Sequence, residues 1–128
     1  MSDADFTASY IKLINQVHDK YPKAQIITMQ IWQGFYANGN TYSQIFTYDQ
    51  AILDTVAHFQ TDANTNFVHY FNTTGILQHN DISPVAHLTD VAAAKVSSHL
   101  MQFIKLTFGW NFGMLILLRR AWNHDAND

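Results

Sequence analysis

Two short apolar runs, each preceded by a helical pattern, constrain the fold of this chain more than any other feature. The runs are residues 25–31 and 66–71, and both are rich in β-branched or aromatic residues, as strands are. Before, between and after them, apolar residues recur at three- and four-residue intervals, which indicates amphipathic helices. The predicted order of elements is therefore α-β-α-β-α.

The three predicted helices have recognisable ends. The first runs from about Asp5 to Pro22, and the second covers residues 48–60. The third is expected to begin after an N-cap at Thr89 or Asp90 and to end at Gly109, because hydroxyl or carboxylate side chains start helices and glycine stops them. Helices of this length between strands predict parallel pairing and a three-layer α/β architecture.

Two strands are fewer than the roughly four to six of a stable sheet. We therefore expect residues 1–110 to be one incomplete domain whose open strand edge favours self-association, followed by a tail of uncertain structure at 111–128. The tail contains a seven-residue apolar run at 112–118, far below the roughly 20 residues of a membrane-spanning helix. No membrane partner is expected.

Composition and charge exclude several functional classes. The formal net charge is −3 without a basic run, so no nucleic-acid partner is expected. The chain has no cysteine, which excludes disulfides and thiolate zinc sites. Hydrophobic residues make up 48% and charged residues 13%, a composition typical of a folded globular domain. The first ten residues lack the pattern of a signal peptide, so localisation stays undefined.

Candidate site residues fall in two predicted loops, at 32–47 and 72–88. Each loop follows a strand, and open parallel sheets bind ligands beyond the carboxyl ends of their strands. The first loop offers aromatic and polar side chains for substrate contact, namely Trp32, Gln33 and Tyr36. The second offers groups for proton transfer, namely His79, Asp81 and His87.

His87 is the strongest candidate because it lies just before the capped start of a helix, where its imidazole can face a cleft. An imidazole titrates near pH 6.5, which suits a general base, although a lone loop histidine is more often structural. His79, Asp81 and His87 also form a mixed nitrogen and oxygen set suited to zinc. Their spacing matches no familiar zinc pattern, so neither a metal nor a cofactor is predicted.

Three groups of residues carry a resemblance to a known family. They are Tyr10-x-x-Leu13-Ile14 before Tyr21-Pro22-x-Ala24-x-Ile26, then Asp81-x-x-Pro84-x-x-His87-x-Thr89-Asp90-Val91, then Ala94-Lys95-x-x-Ser98-His99-Leu100. This pattern resembles the C-terminal half of SGNH/GDSL hydrolases, particularly fungal esterases similar to the second carbohydrate esterase family. The resemblance covers residues 6–110.

The resemblance implies a flavodoxin-like α/β/α fold and hydrolysis of small-molecule or polysaccharide esters, often acetyl groups on sugars. It implies that His87 is the general base of a serine esterase, and that full-length relatives are secreted. The usual acidic position holds Pro84, so Asp81 is the substitute candidate for the partner of His87. The serine, glycine and asparagine blocks of the family have no counterpart here, and the chain alone is expected to be inactive.

An alternative function does not involve catalysis. In a carbohydrate-binding or interaction module, the aromatic residues of the first predicted loop would stack on sugar rings; they are Trp32, Phe35, Tyr36 and Tyr42. The same residues are equally consistent with a core beneath the loop.

Overall fold

A computed structural model describes residues 1–38, 41–61, 66–82 and 87–110. Its elements are α1 (Asp3–Lys20), β1 (Ile26–Met29), β2 (Ile31–Asn38), β3 (Thr41–Thr47), α2 (Asp49–Phe59), β4 (Val68–Phe71), a short 3-10 helix (His79–Asp81) and α3 (Asp90–Phe108). The fold is mixed α/β. The five predicted elements are all present, and the expected α/β class is confirmed. Residues 111–128, predicted as a tail, lie outside the described residues.

Local hydrogen bonds explain where the long helices begin and end. Ser2 Oγ accepts from the Asp5 N–H at 3.1 Å, and the Asp5 carboxylate accepts from the Ser2 N–H at 3.4 Å, which forms a capping box. At α3, Thr89 Oγ1 accepts from the Ala92 N–H at 3.2 Å. Gly109 ends α3 with φ 66°, a left-handed conformation that favours glycine. The predicted caps at Thr89 and Gly109 are confirmed.

β1 and β4 are paired in parallel, as predicted, with Ile26 opposite Val68 and Met29 opposite Phe71. The Ile26 N–H donates to Phe67 O at 2.7 Å, and the Gln30 N–H donates to Phe71 O at 3.2 Å. Because backbone groups alternate sides along a strand, those of Ile27 and Met29 face away from β4. The structure describes no other strand pairing with β1. Self-association through this edge stays a prediction.

Helices cover both faces of the parallel pair. Alternate residues of each strand point to opposite faces, and each face has its own cluster of buried side chains. On one face, the α1–α2 cluster consists of the buried side chains Ile14, Val56, Phe59 and Val68. On the other face, the α3 cluster consists of the buried side chains Phe71, Leu77, Ala92 and Val96. The sheet therefore lies between α1 and α2 on one side and α3 on the other.

The prediction of a long loop at 32–47 is wrong, because most of this stretch forms an antiparallel hairpin of β2 and β3. Residues 39–40, which separate the two strands, lie outside the described residues. The Gly39-Asn40 dipeptide between two runs rich in aromatic and β-branched residues is a typical hairpin signal. Glycine and asparagine are also common in loops, but here they divide two paired strands.

His69 of β4 is a titratable side chain in contact with two other parts of the fold. Its Nε2 lies 2.7 Å from Gln25 Oε1, its ring contacts Phe108 of α3, and burial lowers the pKa of its imidazole. The unfolded chain therefore binds this proton at a higher pH than the folded chain does.

We expect the urea midpoint of unfolding to fall as the pH drops from about 7.5 through the unfolded histidine pKa near 6.5. A His69→Gln variant should show a smaller fall over the same window. Urea titrations of both proteins at several pH values measure this difference, and an equal fall in the two proteins would assign the acid sensitivity to other groups.

Candidate functional site

The carboxyl ends of β1 and β4 are joined by the side chain of Gln30, which is only 2% exposed. Its Oε1 accepts from the Thr73 N–H at 3.1 Å, from Thr73 Oγ1 at 3.3 Å and from Thr74 Oγ1 at 3.1 Å. This amide therefore fixes the start of the segment that leads from β4 to His87. Sequence analysis missed Gln30, although a polar residue at the end of an apolar strand was a visible signal.

Asp81 lies in the 3-10 helix of the same segment and is the most connected carboxylate of the site. Lys95 Nζ donates to its Oδ1 at 2.8 Å and to its Oδ2 at 2.7 Å, and the Gln78 N–H donates to Oδ2 at 2.8 Å. The hydrogen bond from Lys95, followed by that from Gln78, lowers the pKa of the Asp81 carboxyl. The carboxylate is therefore ionised and held between the 3-10 helix and α3.

The loop that carries His87 is closed at its two ends. Ile82 and Leu88 form an antiparallel bridge, and the Thr89 N–H donates to Asp81 O at 3.0 Å. His87 is exposed and lies in non-helical chain between this bridge and residues 83–86, which lie outside the described residues. The prediction that His87 precedes α3 on a loop is confirmed, and α3 is the longest of the described helices.

The structure does not bring the proposed acid partner and base together by a hydrogen bond. Within the described residues, the Asp81 carboxylate is bonded to Lys95 and Gln78, and His87 has no hydrogen-bond partner. The backbone oxygen of Asp81 accepts from the Thr89 N–H at the loop end. Within the described residues, the Asp81 carboxylate thus contacts α3 and the 3-10 helix rather than the His87 imidazole.

The predicted substrate-contact residues Trp32, Gln33 and Tyr36 all belong to β2, which starts two residues after β1 ends. The pairing with β3 shifts between Trp32 and Gly34, so Gln33 is the extra residue of a β-bulge. Gly34 has φ 135°, a conformation that L side chains rarely adopt, which explains glycine at the bulge. The side chains of these three predicted residues lie outside the described part of the chain.

Phe35 shows how the hairpin and the His87 segment meet. It packs against the α3 cluster, as do Ile82 and Leu88 at the ends of the His87 loop. Its ring also contacts the exposed His79 in an edge arrangement, with the ring centroids 6.0 Å apart. The segments that follow β1 and β4 therefore share one apolar cluster. For Phe35, this packing agrees with the interpretation that the aromatic residues belong to the core.

Neither a metal site nor a membrane-spanning helix is found in the described part of the chain. No group of three histidine, aspartate or glutamate side chains is close enough to hold a metal ion in the part of the chain that the structure describes, and His79, Asp81 and His87 are included in that part. Among the helices described, none combines the length and hydropathy required to cross a bilayer.

Comparisons with known proteins identify no relative of this chain. No family model, no curated protein and no solved structure matches the chain.

Proposed function

We propose that residues 1–110 are the C-terminal half of an SGNH-type esterase domain, in which His87 is the general base for hydrolysis of an acetyl ester on a carbohydrate. The observation that carries this proposal is the position of His87. It is exposed, follows the carboxyl end of β4, and precedes the capped start of α3 by three residues. The resemblance of the surrounding motif to SGNH hydrolases supplies the reaction class.

The arrangement of helices supports a flavodoxin-like fold for this half. In a sheet of order 2-1-3-4-5 with right-handed crossovers, the helices leading into strands 4 and 5 lie on one face, and the helix after strand 5 returns to the other. Here α1 and α2 contribute to the cluster on one face of β1 and β4, and α3 packs on the opposite face. In this proposal, β1 and β4 correspond to the last two strands of the complete domain.

The proposed chemistry requires a second segment that carries a serine. The imidazole of His87 would accept the proton of the serine hydroxyl as its oxygen attacks the ester carbonyl, and would return the proton to the leaving alcohol. The backbone bonds at the ends of the His87 loop would hold the base in place. The nucleophile and the oxyanion donors would come from that other segment.

The isolated chain is expected to show no turnover of a small acetyl ester such as p-nitrophenyl acetate, because a base alone does not perform acyl transfer. The assay compares the purified wild-type chain with His87→Ala at equal concentration. Turnover that survives purification and disappears in His87→Ala would show that the chain contains a complete site, contrary to this expectation.

Complementation tests the proposed role directly. The chain is co-expressed with the serine-bearing N-terminal half of an SGNH acetylesterase, and acetate release from an acetylated sugar is measured. Activity is expected with the wild-type chain and is expected to be lost with His87→Ala. His58→Ala is the matched control, since His58 is exposed on α2 and away from the site. Equal activity of the wild type and His87→Ala would overturn the proposal.

A further inference from the structure

We propose that Asp81 is a positioning residue, which holds both ends of the 82–88 loop against α3 and thereby sets the location of His87. This inference rests on the proposed function for the chemical role of His87. It assigns Asp81 a role other than that of the acid that orients the imidazole directly.

Asp81 makes hydrogen bonds to three residues in two segments of the chain, the 3-10 helix and α3 with its N-cap. Its Oδ2 accepts from the Gln78 N–H, which fixes the 3-10 helix. Both carboxylate oxygens accept from Lys95 in the second turn of α3. Its backbone oxygen accepts from the Thr89 N–H on the far side of the loop. Replacement of the carboxylate keeps this backbone oxygen but removes the side-chain contacts to Gln78 and Lys95 that hold it in place, so it acts on the 3-10 helix directly and on Thr89 through the displaced backbone.

Burial of the Asp81 carboxylate makes its hydrogen bonds necessary. The Asp81 side chain is only 8% exposed, whereas the Lys95 side chain is 39% exposed. A carboxylate removed from water is unfavourable unless its oxygens accept hydrogen bonds, so departure from either partner is opposed. Because Lys95 reaches the carboxylate from α3, the ion pair also fixes the helix whose N-cap, Thr89, lies two residues after His87.

Apolar packing also holds the backbone at the two ends of the loop. Ile82 and Leu88 are bridged to each other, and both pack on the α3 cluster. These contacts hold Ile82 and Leu88 in place at the two ends of the loop. His87 is adjacent to the bridge, so the ordering of its backbone depends on Asp81 and on these two apolar residues.

The test uses the full chain and two NMR measurements that do not depend on ester hydrolysis. The first is hydrogen exchange at the Thr89 amide, and the second is the ¹H–¹³C correlation of the His87 imidazole. In Asp81→Ala, Thr89 exchange is expected to accelerate about tenfold or more, and the His87 signal to shift or broaden. Exchange at the Ile26 amide, which donates to Phe67 O, reports whether the whole domain stays folded.

Two further variants keep the result interpretable. Lys95→Met retains an apolar stem without the charge and should reproduce both changes, including where Asp81→Ala fails to fold. Asp90→Ala removes one carboxylate close to His87, but Asp90 is exposed, and both signals should remain as in the wild type. Wild-type Thr89 exchange and an unchanged His87 signal in folded Asp81→Ala or Lys95→Met would overturn the inference. Failed complementation with these NMR changes present would instead overturn only the proposed function.

Discussion

Replacement of Ile52 by alanine is expected to lower the free energy of unfolding by about 2–5 kcal/mol, the usual cost of truncating a fully buried isoleucine. Ile52 is 0% exposed on α2, the helix that connects the hairpin to β4. The cost has two parts, since the removed methyl groups no longer leave water on folding and the cavity loses packing contacts. Domains of this size have free energies of unfolding of roughly 5–15 kcal/mol, so this single substitution is expected to remove a large share of the stability.

Leu53 provides a matched control for this prediction. It is the next residue of the same helix, has the same number of side-chain carbons, and is 38% exposed. Leu53→Ala should therefore cost less than about 1 kcal/mol, because much of its side chain stays in water in the folded state. Urea unfolding followed by circular dichroism measures both variants. Equal losses would mean that helix propensity, rather than burial, determines the effect on α2.

The helices and the parallel strands could be predicted because their signals are local. The period of apolar residues in α1 and α3 depends on neighbours three and four positions apart, and the caps at Thr89 and Gly109 are single residues. The strands of the sheet are short apolar runs of the expected composition. For these elements, local preference and tertiary packing favour the same structure.

The hairpin was missed because two interpretations of its glycines compete. Gly34 lies at a bulge with φ 135°, inside β2, and not at a turn. A glycine within an aromatic stretch has the same appearance in a sequence whether it bends a strand or interrupts it. The pairing of β2 with β3 decides between these possibilities, and pairing depends on contacts between residues up to 16 positions apart, such as Ile31 and Thr47.

The candidate site shows the same division between local and long-range information. His87 could be selected from its position before a helix cap, which the sequence displays. The roles of Asp81 and Gln30 depend on Lys95 and Thr73, which lie 14 and 43 positions away. A carboxylate near a histidine in the sequence suggests direct pairing, whereas in the folded chain that carboxylate forms an ion pair with a lysine. Such partners become visible only when α3 packs on the sheet.

Gln30→Leu is expected to lower the free energy of unfolding by about 1–3 kcal/mol through the Thr73 N–H alone, because a buried donor is left without an acceptor. Thr73 is fully buried, so water does not replace the lost oxygen. The hydroxyls of Thr73 and Thr74 can rotate toward other acceptors, but a backbone N–H has a fixed direction. Leucine has a similar volume, so the loss reports the missing hydrogen bonds more than a cavity.

Gln25→Leu separates burial from the loss of an amide. Gln25 precedes β1 and also makes a side-chain contact, to His69 Nε2, but it is exposed. Its replacement should change the free energy of unfolding by no more than about 0.5 kcal/mol. Thr73→Val, which removes only one hydroxyl donor, should lie between the two variants. If Gln30→Leu were as stable as Gln25→Leu, the amide would not be what joins the ends of β1 and β4, and the segment leading to His87 would depend on the α3 cluster and the Asp81 contacts alone.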